Sequence, residues 1–138
     1  MNDPAGEEEA DGARPPYLQV GGDAGVRALV DRFYELMDRE AAYAVIRRLH
    51  APDLTRAREN LYLYLSGWLG GPNLYIERFG HPMLRARHLP FSIGVAERDA
   101  WLACMTRAMQ ETRVPDALQE PLVAAFFKTA DWMRNRPQ

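Results

Sequence analysis

The chain has three histidines, His50, His81 and His88, and two of them fall in one stretch, "HPMLRARHLPFSIG", residues 81–94. His88 stands two positions before Pro90. That proline has no N–H to donate and pushes Leu89 away from helical conformation. A helix carrying His88 therefore stops there, and a histidine at a helix end is placed to point at something other than protein. No HExxH, CxxC or paired-histidine motif is present, so a self-contained zinc site is not expected. A metal held by one protein nitrogen must bring its other ligands along. Haem does so, with four porphyrin nitrogens and one proximal histidine. It needs a wide apolar slot, cations for two propionates and polar groups on its far face. Without that context, a lone histidine reads as a surface residue or a hydrogen-bonded core residue.

Composition narrows the classes. The 138 residues suffice for one domain with a real core. With 17 basic against 19 acidic side chains and a net charge of −2, nothing suggests nucleic acid or an anionic membrane as partner. The single Cys104 allows no intramolecular disulfide and no multi-cysteine metal site. No apolar run approaches the roughly 18 residues of a membrane span, and the acidic N-terminus is the opposite of a signal peptide. The expectation is a soluble, cytoplasmic protein.

The elements that position these residues are helical. Residues 1–16, "MNDPAGEEEADGARPP", are acidic and lack apolar periodicity, so a disordered tail is expected there and a single domain over 17–138. Val26, Leu29, Val30, Phe33 and Met37 form one helical stripe behind an Asp23 N-cap. A short helix over Ala41–Leu49 turns Val45, Ile46 and Leu49 inward. Pro52 breaks it, and Asp53 or Thr55 caps a helix running to about Leu69, with Ala57, Leu61, Leu65 and Trp68 on one face. Gly70-Gly71-Pro72 stops that helix. A helical turn near Tyr75–Phe79, a breaker at Gly80–Pro82 and a short helix ending at His88 follow. A helix over Glu97–Gln110 places Trp101, Leu102, Met105 and Met109 together. Pro115 suits the first turn of a last helix, on which Leu118, Leu122, Ala125, Phe126, Thr129 and Met133 keep helical spacing. No segment alternates like a half-buried strand. The fold class is all-α.

The sequence resembles the truncated haemoglobins of group II, short globins built as a two-over-two helical sandwich. The likeness runs from about residue 20 to 135 and is most specific in "GWLGGPNLYIERFGHPMLRARHLPFSIGVAERDAWLACM", Gly67 to Met105. There the double glycine, the arginines before the histidine, the "LPF" and the "ERDAW" helix start match in order and spacing. The first sixteen residues have no counterpart.

The resemblance implies a truncated globin fold around haem b (iron protoporphyrin IX). It makes His88 the proximal iron ligand through Nε2, with Nδ1–H donated to a backbone carbonyl. It makes Tyr34, Trp101 and His50 the distal group that donates hydrogen bonds to a bound diatomic ligand, Trp101 being the tryptophan that marks groups II and III. Ala57 falls where many globins carry histidine or glutamine, which leaves the donor duty to those three and leaves room for small ligands to pass. Leu61 packs over the porphyrin. Phe33, Leu65, Phe91, Ile93, Met105 and Phe126 fit either as further wall residues or as ordinary core. Arg87 pairs with a propionate, Tyr75 adds a hydroxyl to the same rim, and Arg85 and His81 either join it or face solvent. The implied activity is reversible binding of oxygen, with nitric oxide, carbon monoxide or peroxide as further small ligands. Detoxification of nitric oxide or peroxide would require a separate electron donor, since no GxGxxG motif follows a strand. A peroxidase-like haem enzyme and a haem-based sensor are the alternatives.

Overall fold

The computed structural model describes residues 14–138, so the expected disordered tail lies, up to residue 13, outside the described residues. A four-residue helix, α1 (Pro16–Gln19), opens the chain, and α2 (Gly22–Arg39) follows. A 3-10 turn (Ala41–Tyr43) runs into α3 (Ala44–Arg47). Then come α4 (Thr55–Trp68), α5 (Leu74–Phe79), α6 (Leu84–His88), α7 (Val95–Glu111) and α8 (Asp116–Trp132). Among the described residues there is no strand. α2 packs on α4 and on α7, and α7 packs on α8. Two long helices lie over two, with the short elements α3, α5 and α6 bridging them.

The stripe on α2 explains why that helix sits at the centre: Val26, Leu29, Val30, Phe33 and Met37 are all buried. Burying each such side chain contributes about 1.5–3 kcal/mol. Leu36 and Tyr34 are buried as well, so the apolar surface extends past one stripe and meets two neighbours at once.

The start of α2 differs from expectation. Gly21 at φ 112° caps it, and Asp23 lies inside the first turn. A left-handed corner at Gly21 and Gly22 brings the chain in earlier than a side-chain cap would. Asp23 still serves the helix N-terminus electrostatically, and it accepts a hydrogen bond from the Tyr62 hydroxyl on α4.

Elsewhere the boundaries move by a residue or two. The expected helix over 41–49 splits into a 3-10 turn and one turn of α-helix, with Tyr43 buried beside Ile46. Neither expected residue caps α4: Leu54 stands at the N-cap position, and Asp53 just before it accepts the Thr55 N–H on Oδ1 at 2.8 Å. α7 starts at Val95 rather than Glu97 because the Glu97 carboxylate reaches back to the Gly94 N–H at 2.6 Å. Pro115 stands just before α8 instead of inside its first turn. Pro16 begins α1, and Tyr17 donates its N–H to Leu69 O. A Cβ on Gly71 would lie 2.5 Å from the Tyr17 ring. The double glycine thus lets α1 close over the end of α4. No helix among the described residues is long and apolar enough to cross a membrane.

Candidate functional site

On α4, the expected inward face is only half satisfied: Leu65 is buried, but Ala57 and Leu61 remain partly accessible. Their accessibility has a cause. Both face a cavity of about 420 Å3 enclosed by the ends of α3 and α6 and the sides of α4, α7 and α8. Tyr34, His50, Ala57, Leu61, Arg87, His88, Phe91, Ile93 and Trp101 all line it. Residues far apart in sequence therefore converge on one largely apolar space, of a size (roughly 300–1,000 Å3) typical of cofactor pockets.

His88 ends α6, and its Nδ1 lies 2.7 Å from Leu84 O, one helical turn back. A carbonyl oxygen only accepts, so Nδ1 carries the proton and Nε2 is the nitrogen with a free lone pair. His50 repeats this arrangement after α3, with Nδ1 2.8 Å from Ile46 O. Burial pushes the His50 pKa below the usual 6.5; the Ile46 hydrogen bond opposes that shift, and Arg47 and His88 add to it. The neutral ring therefore offers an acceptor to the cavity. The expectation that His50 donates a hydrogen bond there requires the imidazolium, which its surroundings disfavour.

Tyr34 is 4% exposed and meets the His50 ring edge-on, centroids 5.7 Å apart. Burial raises the Tyr34 pKa, so its hydroxyl keeps its proton. It donates only weakly, to Ala57 O at 3.4 Å, well beyond the usual O–H···O distance. The Trp101 ring lies between those of Phe33 and Phe126, at 5.3 Å from each, and Phe126 stacks on Trp68 at 4.4 Å. This aromatic chain fixes the indole plane. Among the described residues no hydrogen bond engages the indole N–H.

Several expected wall residues stand behind the wall. Phe33 is fully buried under Tyr34 and Trp101 and does not reach the cavity. Leu65 and Met105 belong to the core for the same reason: their side of the helix meets protein. Tyr75 also stays off the cavity. It contacts Tyr64 edge-on at 6.3 Å and lies under the Arg87 guanidinium at 5.9 Å. Arg87 spends its Nε on Pro82 O at 2.7 Å and keeps its terminal nitrogens. Arg98, which also lines the cavity, is committed to Asp99 and Asp131. Arg85 turns to the carbonyls of Trp132 and Arg134, and the exposed His81 accepts the Met83 N–H. Asn60, Tyr64 and Leu84 line the cavity without having been singled out in the sequence, while Ile46, Thr129 and Met133, expected only as inward helix positions, line it too. Tyr64 and Asn60 were within reach of spacing alone, being seven and three residues beyond Ala57.

The residues fit a haem. Among the described residues no cluster of three or more potential ligands exists to hold a bare metal ion. Two imidazoles, His88 and His50, keep Nε2 without a protein partner among the described residues, beside a slot bounded by apolar and aromatic side chains, with a cation, Arg87, on its rim.

The family model for bacterial-like globins matches residues 16–135. The chain is a bacterial-like globin. A group 2 truncated hemoglobin of Bacillus subtilis is 40% identical over 123 residues, covering 89% of this chain and 90% of the relative. Among solved structures, a group II 2-on-2 hemoglobin from Agrobacterium tumefaciens shares 48% identity at TM-score 0.85, over 89% and 95% of the two chains. A truncated oxygen-avid haemoglobin from Bacillus subtilis shares 39% at TM-score 0.79, over 88% and 100%. The two-over-two packing of this globin is thus that of the group II truncated proteins. Membership implies haem binding and the capture of small gaseous ligands such as oxygen.

One pH effect follows from the His50 ring. As pH falls below the usual histidine range, the imidazolium gains an N–H at Nε2 and turns from acceptor to donor. With carbon monoxide as probe of the haem-loaded protein, the C–O stretch is expected to move to lower frequency on acidification, with the transition below the ordinary imidazole value of 6.5 because burial lowers the His50 pKa. His50→Leu should show no such shift; infrared spectra of both proteins from about pH 8 down to about pH 4, well below the range of an unperturbed histidine, would check this.

Proposed function

We propose that this globin holds haem b with His88 as fifth ligand and retains oxygen through donors on the opposite wall, Tyr34 and Trp101. Arg87 pairs with a propionate through the terminal nitrogens left free by its bond to Pro82. The observation that carries this reading is the tautomer of His88: the Leu84 carbonyl, one turn back in the same helix, accepts the Nδ1 proton, so Nε2 is left for a metal. When bound, haem would supply the iron at which a diatomic ligand is held. The chain's own contribution is orientation and exclusion of water. Leu61, Phe91 and Ile93 wall off the slot, and in such a low-dielectric space donors hold a partly charged ligand better than in water.

Two donors of this kind favour slow release over bulk delivery, in keeping with the oxygen-avid description of the Bacillus subtilis structure. That retention suits chemistry on the ligand, such as conversion of nitric oxide to nitrate or reduction of peroxide, with electrons from a separate donor protein or small molecule. A peroxidase-like role has one specific observation in its favour. The His50 Nε2 is a proton acceptor on the cavity side, which is what removal of a proton from peroxide requires.

Absorption spectra of the purified protein in the ferric, ferrous and ferrous carbon monoxide forms test the main reading. A Soret band and histidine-ligated ferrous forms are the expected result. A polypeptide that stays colourless with excess haemin would overturn it. Steady-state turnover with peroxide and a one-electron donor, lost in His50→Leu, would favour the second role.

A further inference from the structure

α6 is only five residues long and buries none of its own side chains. Packing into the core therefore does not set its position, and a helix this short is not stable alone. Yet it carries His88. What grips it is the segment after α8. The Asn135 side chain spans the turn that follows His88: its Nδ2 donates to Phe91 O at 2.7 Å and to His88 O at 3.3 Å, and its Oδ1 accepts the Ile93 N–H at 2.9 Å. The backbone adds two bonds, from the Asn135 and Arg136 N–H groups to Ile93 O at 2.8 and 3.1 Å. The His88 carbonyl, otherwise an unpaired helix-end acceptor, also receives the Phe91 N–H at 3.0 Å. Gly94 lies so close beneath the last residue that a Cβ there would meet Gln138 O at 1.8 Å. At the other side of α6, Arg85 donates to Trp132 O and Arg134 O.

We propose that Asn135 is a positioning residue for His88: its amide holds the carbonyl of the ligand residue and the two cavity-lining residues after it, Phe91 and Ile93, in one rigid turn. The inference rests on His88 being the iron ligand. Only a primary amide offers two donors and an acceptor at this reach. Aspartate keeps the acceptor for Ile93 N–H and loses both donors; alanine loses all three.

Resonance Raman spectra of the ferrous protein report the iron–histidine stretch, and transfer of haem to excess apomyoglobin reports retention. In Asn135→Ala the stretch is expected to shift to lower frequency and broaden, and haem loss to speed by roughly 10–100-fold, the range for removing a group that orients a metal ligand. Asn135→Asp, which sets an acceptor oxygen against the Phe91 and His88 carbonyls, should shift the band and speed haem loss at least as much as alanine. Arg136→Ala, whose side chain among the described residues bonds only to the neighbouring Asn135 O, should behave as the parent. A band and a loss rate unmoved in Asn135→Ala overturn the proposal, even if thermal stability drops, because a merely structural role would lower stability alone. If Asn135→Ala fails to fold, the same two readouts in Asn135→Asp decide the matter by the same criterion. Absence of any iron–histidine band in the parent overturns the haem assignment itself, and this inference with it.

Discussion

His88→Ala is expected to lose haem to apomyoglobin more than about 100-fold faster than the parent, beyond the range seen when only a supporting hydrogen bond of a metal ligand is removed. The reason lies in how little else holds the group. No second cluster of ligands exists among the described residues, and the remaining attachments are apolar contacts and the Arg87 rim. The substitution itself costs the fold little, since α6 buries nothing and His88 makes its one ring hydrogen bond within that helix. Exogenous imidazole should therefore restore the five-coordinate ferrous spectrum by occupying the vacated space. Retention at the parental rate would mean that another side chain holds the fifth position. His50 would be the candidate, because it presents the same nitrogen from the facing wall, and the doubly substituted His50→Ala, His88→Ala protein would show it.

Parts of this site were legible in the sequence for a definite physical reason. The α2 stripe from Val26 to Met37 keeps a 3.6-residue period, and every member is buried; period is a local property that survives without tertiary context. His88 before Pro90 reads as a helix-end histidine, and α6 does end at His88; yet Leu89 keeps helical angles and Pro121 sits inside α8, so the missing N–H of a proline does not by itself fix where a helix stops. What periodicity does not carry is depth. Phe33 and Tyr34 are adjacent and both buried, yet only Tyr34 reaches the cavity. Both are equally apolar in pattern, and only the placement of α4 and α7 decides which one ends at open space. Tyr75 fails as a wall residue in the same way, turned under Arg87 instead. The polarity of His50 was hidden for another reason. It depends on the Ile46 carbonyl, which accepts the Leu49 N–H at 3.0 Å, also taking the Nδ1 proton at 2.8 Å, and periodicity does not show which ring nitrogen meets a backbone carbonyl. Asn135 is the furthest from legibility: its partners lie more than 40 residues back along the chain.

The different engagement of the distal groups ranks their effects on oxygen release. A hydrogen bond to a charged acceptor is worth about 1.5–3 kcal/mol, which is roughly 10- to 150-fold in a dissociation constant. Trp101→Phe should realise most of that as a faster off-rate. Its indole N–H has no competing partner among the described residues, and phenylalanine keeps much of the stacking against Phe33 and Phe126. Tyr34→Phe should cost less. The Tyr34 hydroxyl already has an alternative acceptor in Ala57 O, so only the difference between partners is lost. His50→Leu at neutral pH should change the off-rate least of the three, because the neutral ring does not donate. Stopped-flow oxygen dissociation for the three single variants and the Tyr34→Phe, Trp101→Phe pair gives both the order and the coupling. The two donors meet one ligand, so their effects should fall short of additivity. An off-rate unchanged in Trp101→Phe removes the indole as a donor. A larger effect from His50→Leu than from Trp101→Phe would mean that the histidine is protonated in the ligated state, against the direction in which burial drives it.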